Sequence, residues 1–235
     1  MNLLHVFVCT WNESKILQDF IDWYRSRVPG CLITVYDNES TDNTVEIALQ
    51  NNCKVISFST NDQMDELTLM NIRNNCWKKT LSEWCLVVDA DELVDINAEF
   101  LKNLGTENIL KCKGYEMFGE EEDSIDDLIY GCESVGYSKP VLFRGWIFEE
   151  ISFAPGNHSC SPIPFEHNLL WSTINPNLYH TKWRSWSNGI ERAHLLAKKR
   201  SDHSRQNNWN IHYEFDDSIH LDYYSNGIKN RIKVR

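Results

Sequence analysis

The strongest constraint on the fold of this chain is an alternation that runs from its start to Asp89. Four short runs rich in apolar and β-branched residues, at 3–9, 32–36, 54–58 and 84–88, read as strands. Three stretches between them read as helices, predicted over 15–27, 43–51 and 67–81. In the first, Ile16, Leu17, Phe20, Ile21 and Tyr24 recur at helical spacing, Asn12 and Ser14 are candidate caps, and Pro29-Gly30 ends it. The order β-α-β-α-β-α-β is that of a parallel sheet with helices on its faces, joined by right-handed crossovers. A length of 235 residues suits one large or two small domains.

The fourth strand runs into Asp89-Ala90-Asp91-Glu92. In an open α/β sheet, ligands bind beyond the carboxyl ends of the strands. On an extended backbone Asp89 and Asp91 point to one side, where two carboxylates suit a hard divalent cation shared with substrate phosphates. A solvated acidic turn has the same pattern. The turn after strand one, Cys9-Thr10-Trp11-Asn12-Glu13, is not a glycine-rich phosphate loop, and the chain has no Walker motif. A nucleotide over this sheet therefore needs another counter-charge, which a metal on Asp89 and Asp91 would supply.

Beyond Asp91 the regularity breaks. A short helix is predicted over 98–104, strands over 109–117 and 141–148, a short strand ending near 178–180, and an amphipathic helix over 190–200. Residues 120–127 form a strongly acidic loop, read as solvated, and 153–158 form another loop. Lys229, Arg231, Lys233 and Arg235 make the 218–235 segment a basic tail or linker. The formal net charge of −11 argues against a nucleic-acid partner. No apolar run approaches the roughly 20 residues that span a bilayer, and the N-terminus lacks the marks of a signal peptide. The eight cysteines include no Cys-x-x-Cys pair, so reduced thiols and a cytoplasmic location are expected, with a place inside a larger protein left open. Nine tryptophans favour a carbohydrate ligand, since flat aromatic faces suit sugar rings.

Several segments taken in order carry a specific resemblance. They are Thr10-Trp11-Asn12-Glu13, Tyr36-Asp37-Asn38-Glu39-Ser40-Thr41-Asp42, Asn75-Cys76-Trp77-Lys78 and Val88-Asp89-Ala90-Asp91-Glu92. Downstream follow Tyr115-Glu116-Met117-Phe118-Gly119, Ser138-Lys139-Pro140, Gly156-Asn157-His158, Leu178-Tyr179-His180-Thr181-Lys182 and the 192–200 helix. Over about 3–215 the chain resembles glycosyltransferases of family 2. The resemblance implies an α/β, GT-A (Rossmann-like) fold, with a mostly parallel central sheet flanked by helices in a single domain. That domain is expected over 1–217, with a nucleotide-binding half at 1–95 and an acceptor-binding half at 96–217.

The resemblance also implies roles. Thr10, Asn12 and Glu13 would line the nucleoside pocket, and Asp37 or Asn38 would read the uracil edge. The same Asp37–Asp42 turn would cap the next helix. Arg73 would pair with a carboxylate of that turn or reach a phosphate. Asp91 is the first metal ligand and Asp89, near the ribose, the second, with Glu92 supporting them. His180 is the leading further ligand for Mn²⁺ or Mg²⁺, and His158 is a second ligand candidate or a substrate contact. Lys139 and Lys182 would neutralise the leaving diphosphate. Glu120, Glu149 and Glu150 are candidate bases for an inverting transfer from a UDP-sugar to a glycan or other hydroxyl acceptor. A sugar nucleotidyltransferase and a catalytically inactive carbohydrate- or nucleotide-binding module are the alternatives. The donor sugar, the linkage and the oligomeric state are not legible.

Overall fold

The structure, a computed structural model, describes residues 2–120, 124–166 and 168–235. The expected alternation is present as β1 (Leu4–Thr10), α1 (Leu17–Arg27), β2 (Leu32–Asp37), α2 (Thr44–Gln50), β3 (Lys54–Ser57), α3 (Glu66–Asn75) and β4 (Trp84–Asp89). Then come β5 (Glu92–Val94), α4 (Ala98–Asn103), β6 (Ile109–Leu110), β7 (Lys113–Phe118), β8 (Tyr130–Glu133), β9 (Leu142–Phe143), β10 (Phe148–Glu150) and β11 (Ile163–Pro164). The chain closes with β12 (Asn177–Trp183), α5 (Trp186–Lys199), α6 (Asp202–Gln206), α7 (Asp217–Asn230) and β13 (Ile232–Lys233).

The central sheet has the order β3-β2-β1-β4-β9-β6, with β1 to β4 parallel and β9 and β6 antiparallel to their neighbours. This is the mixed, mainly parallel single-domain architecture of the expected GT-A class. The strand order reverses between β1 and β4, so the crevice of such a sheet opens where those two strands end. Leu4, Val6 and Val8 face one hydrophobic core with Trp84, Leu86 and Val88. Phe7, Cys85 and Val87 face a second core with Trp77 and Phe143. Burial on both faces is why these strands read as continuous apolar runs.

A second sheet, in the order β13-β8-β7-β12-β5, stands beside the first. Its strand β5 was not expected from the sequence, and it makes the acidic motif a corner between two sheets. Helix α1 pins that corner. Its buried Tyr24 hydroxyl donates to the Glu92 carbonyl and accepts from the Val94 amide, both at 3.0 Å, and Trp23 Nε1 donates to the Val94 carbonyl at 2.9 Å.

Other boundaries differ for physical reasons. Helix α3 stops at Asn75 rather than 81, because the chain turns to bury Trp77 edge-on against Phe143. The expected strand over 109–117 is two strands, since β6 belongs to the first sheet and β7 to the second. The expected strand over 141–148 keeps only Leu142–Phe143 before a single helical turn at Gly145–Ile147. Residues 218–235 are not a linker. They lie in α7 and β13, with β13 pairing antiparallel to β8 and Gly227 seated on the Phe118 ring. Of the acidic loop over 120–127, residues 121–123 lie outside the described residues.

Candidate functional site: a charged corner between two sheets

Asp89 ends β4 and Glu92 begins β5, so Ala90 and Asp91 turn the corner between the two sheets. Strand β12 lies against that corner. The Asp91 carbonyl accepts from the Thr181 amide at 2.8 Å and from its hydroxyl at 3.1 Å. An extended Asp-x-Asp would send both carboxylates one way. The corner sends them to different partners.

Asp89 faces cations. Its Oδ1 is 2.7 Å from Arg73 Nη2 and its Oδ2 is 3.7 Å from Lys139 Nζ. Arg73 also pairs with Glu66 at 2.8 Å, and Lys139 pairs with Glu92. Glu92 Oε2 accepts from the Asp89 amide at 3.1 Å. Arg73, Lys139, Glu66 and Glu92 are all buried. Burial works against the Asp89 carboxylate, but Arg73 and Lys139 outweigh it and lower its pKa. Breaking such a buried network by removing one partner costs about 3–5 kcal/mol. Arg73 therefore binds neither the Asp37–Asp42 turn nor open space, and the positive charge of Lys139 is already balanced.

Asp91 faces the second sheet. Its Oδ2 lies 3.3 Å from His180 Nε2, and His180 Nδ1 lies 2.6 Å from Glu116 Oε1. Strand register produces this contact: His180 stands opposite Glu92 in β5 and opposite Glu116 in β7. Tyr137 stacks on the imidazole at 3.8 Å, and the Tyr223 hydroxyl donates to Glu116 at 3.2 Å. Burial disfavours the imidazolium, yet Glu116 and Asp91 overcome it and push His180 up to about 10. No described residue bonds Asp91 Oδ1.

Lys182 follows His180 by two on β12, with its ammonium 4.5 Å from the Tyr213 ring centre and 5.0 Å from that of Trp183. It is buried, and among the described residues it has no carboxylate within ion-pair distance. Burial lowers it to about 8, against the pull of Glu116 and Asp91. A desolvated ammonium with no carboxylate paired to it can take up an anionic ligand at this cavity.

One open cavity collects most of the expected residues: Thr10, Glu13, Asn38, Arg73, Asp89, Asp91, Lys139, His158, His180 and Lys182 all line it. Asp37 does not. Its carboxylate accepts from the Ser40 amide at 3.0 Å and the Thr10 hydroxyl at 3.3 Å, so it shapes the turn. Asn38 is at the cavity, with its amide joined in both directions to Thr60. Asn12 lines an adjoining cavity and clasps the Thr41 amide at 2.8 Å, and Asp42 holds the start of α2 through Thr44. Glu13 pairs with Arg192. Burial raises Glu13 to about 7, against Arg192.

The three carboxylates expected as bases are elsewhere. Glu120 pairs with Arg231 at 2.9 Å, Glu150 with Lys78 at 2.5 Å, and Glu149 is exposed; none lines the cavity. The sequence reading gave no role to Glu116, Tyr137, Glu66 or Tyr213. The signal for Glu116 was present in Tyr115-Glu116-Met117-Phe118-Gly119, but the strand pairing that sets it behind His180 was not.

Among the described residues, no group of three or more His, Cys, Asp or Glu side chains is arranged to enclose a metal ion. The donors here that would face a cation shared with a substrate are Asp91 Oδ1 and, once it has lost its proton, His180 Nε2. Glu116 behind Nδ1 would orient the imidazole for that task. Asp89 is occupied by Arg73 and Lys139, so the structure does not show it sharing one ion with Asp91.

The model of the family described as glycosyl transferase family 2 matches residues 5–104, less than half of the chain. That segment holds the acidic corner and stops short of His158, His180 and Lys182. No curated protein matches the chain. Among solved structures, residues 1–349 of S. aureus TarS are 18% identical, with a TM-score of 0.47 over 84% of this chain and 65% of that one. Glucosyl-3-phosphoglycerate synthase from Mycobacterium tuberculosis, in complex with Mg²⁺ and UDP, is 17% identical, with a TM-score of 0.42 over 66% of this chain and 61% of that one. The mannosyltransferase PcManGT from Pyrobaculum calidifontis, in complex with GDP-Man and Mn²⁺, is 19% identical, with a TM-score of 0.35 over 46% of this chain and 34% of that one. The chain spans under two thirds of the length of each.

Proposed function

We propose, for a chain whose residues 5–104 match the model of glycosyl transferase family 2, that it moves a sugar from a UDP-sugar to a hydroxyl acceptor with inversion, using a divalent cation. One observation carries this reading. Asp91, His180 and Lys182 gather an open carboxylate oxygen, an oriented imidazole and an unpaired buried ammonium at the carboxyl end of β4. That is the donor set for a diphosphate and its cation. When bound, the cation would offset the negative charge that builds on the departing diphosphate.

The chain's own residues divide the remaining work. Lys182 would hold a diphosphate oxygen. Thr10, Asn38 and Glu13 would border the nucleoside. The buried web of Arg73, Asp89, Lys139 and Glu92 would fix the corner, keeping Asp91 in place while the ligand changes.

Thermal melting with UDP, GDP and CMP, each with Mn²⁺ or with EDTA, tests the reading. A ligand of the native state at a hundred times its Kd stabilises by about 2.7 kcal/mol. UDP is expected to raise the melting temperature only with Mn²⁺, and Asp91→Asn is expected to remove that rise while leaving the unliganded melt in place. Stabilisation that survives EDTA, or none with any nucleotide, would refute it. The misplacement of Glu120, Glu149 and Glu150 favours the inactive-module alternative. Release of UDP from a UDP-sugar separates the two, since a binding module yields none.

A further inference from the structure

We infer that His158 is the general base of this transfer, its Nε2 taking the proton from the acceptor hydroxyl. The inference rests on the transferase reading above and supplies the group that Glu120, Glu149 and Glu150 do not. The balance is simple. The acceptor oxygen bonds to the anomeric carbon. The bond from that carbon to the diphosphate breaks, and its electron pair leaves with the nucleoside diphosphate. The hydroxyl proton goes to His158, and the imidazolium returns it to water.

Geometry assigns the tautomer. His158 Nδ1 lies 2.6 Å from the Gly136 carbonyl oxygen, which can only accept, so Nδ1 carries the proton. A neutral ring then has its lone pair on Nε2. No described residue bonds Nε2, and His158 lines the cavity.

The local backbone is built around that ring. Gly156 and Asn157 both have positive φ, +66° and +58°. A Cβ on Gly156 would stand 2.6 Å from His158 Nε2, so the ring occupies space over the turn that only a glycine leaves free. The Gly156 amide donates to Glu66 Oε1 at 2.7 Å, and the buried Asn157 side chain reaches the Val87 carbonyl at 3.4 Å.

Apart from Asp91, whose open oxygen is assigned above to the cation, the carboxylates at the cavity are already engaged. Arg73 holds Asp89 and Glu66, Lys139 holds Glu92, and Arg192 holds Glu13. Asp62 pairs with Lys199, and Asp65 caps α3 through the Thr68 amide. The Tyr137 ring lies near both His158 and His180, with ring centres 6.4 and 3.8 Å away. His158 and the proposed diphosphate site thus border the same cavity. The charged and titratable groups around it are Lys139, Asp89, Glu66 and a neutral His212. Partial burial, then the Lys139 ammonium, lower His158 below the ordinary histidine range, so it is in its basic form at neutral pH.

The test is UDP release from UDP-glucose and UDP-N-acetylglucosamine with Mn²⁺, water serving as acceptor, for wild type, His158→Gln and His158→Ala across pH 4–9. General-base removal typically costs about 10²–10⁴-fold. His158→Gln should lose at least about 10²-fold in kcat with little change in donor KM, and should keep the melting shift with UDP and Mn²⁺. The acid limb of the wild-type profile should flatten in the variant, and added imidazole should restore part of the His158→Ala rate. A His158→Gln rate within a few-fold of wild type overturns the base alone, as does an acid limb that vanishes in Glu13→Gln instead. Wild type that neither binds UDP with Mn²⁺ nor releases it overturns the transferase reading, and the base with it.

Discussion

His5 shows how a single residue can set the acid stability of this fold. Its Nδ1 and Nε2 each lie 2.8 Å from a threonine hydroxyl, Thr80 and Thr34. Burial, with Lys54 adding, lowers it to about 4. The folded state therefore refuses a proton that the unfolded chain accepts near pH 6.5. Its contribution is fully present above that pH and is lost as pH falls toward 4. His5→Gln keeps an amide that can donate and accept, and has no proton to take up. Melting curves across pH 7 to 4 should show a shallower acid decline in this variant. An identical decline would place the acid sensitivity on other groups. Asp89 and Asp91 make a different point at the same scale: two carboxylates of one short motif have separate partners because the chain bends between them.

Elements position the site through a few cross-links. Helix α1 carries Tyr24 to the acidic corner, where one hydroxyl satisfies both the Glu92 carbonyl and the Val94 amide. Tyr24→Phe would leave both buried and unpaired, at a cost of about 1–3 kcal/mol. Urea denaturation should show that loss. Because the corner loosens, the melting shift with UDP and Mn²⁺ should also fall. Strand β12 does the rest by register, setting His180 between Glu92 and Glu116 and bringing Lys182 to the same cavity. A slip of one residue would turn His180 away from Asp91.

The whole molecule depends on its C-terminal segment. Tyr223 of α7 bonds Glu116 at 3.2 Å, Tyr224 bonds the Gly119 carbonyl at 2.6 Å, and β13 closes the edge of the second sheet. Removing residues 218–235 should lower the melting temperature by several degrees, a change that corresponds to about 1–2 kcal/mol or more in a domain of this size. An unchanged melt would return the segment to the status of a linker. The basic residues that made it look like a tail act at short range: Arg231 donates to the Phe118 carbonyl at 2.7 Å, and Arg235 contacts the turn near Asp126 at 3.2 Å.

By itself the sequence determined the parallel half of the fold, because buried strands and amphipathic helices leave local periodicities that packing cannot hide. It also marked the acidic corner and the segments holding His158, His180 and Lys182, since those residues stand in short, ordered motifs. Only the tertiary structure decided their partners. That Arg73 and Lys139 go to Asp89 follows from the packing of α3 and of the segment before β9 against the end of β4. That Glu116 stands behind His180 follows from the strand pairing of β7 with β12, which also carries Lys182, left without a carboxylate among the described residues. Long-range register is set by the balance of the whole core, and no window of sequence contains it.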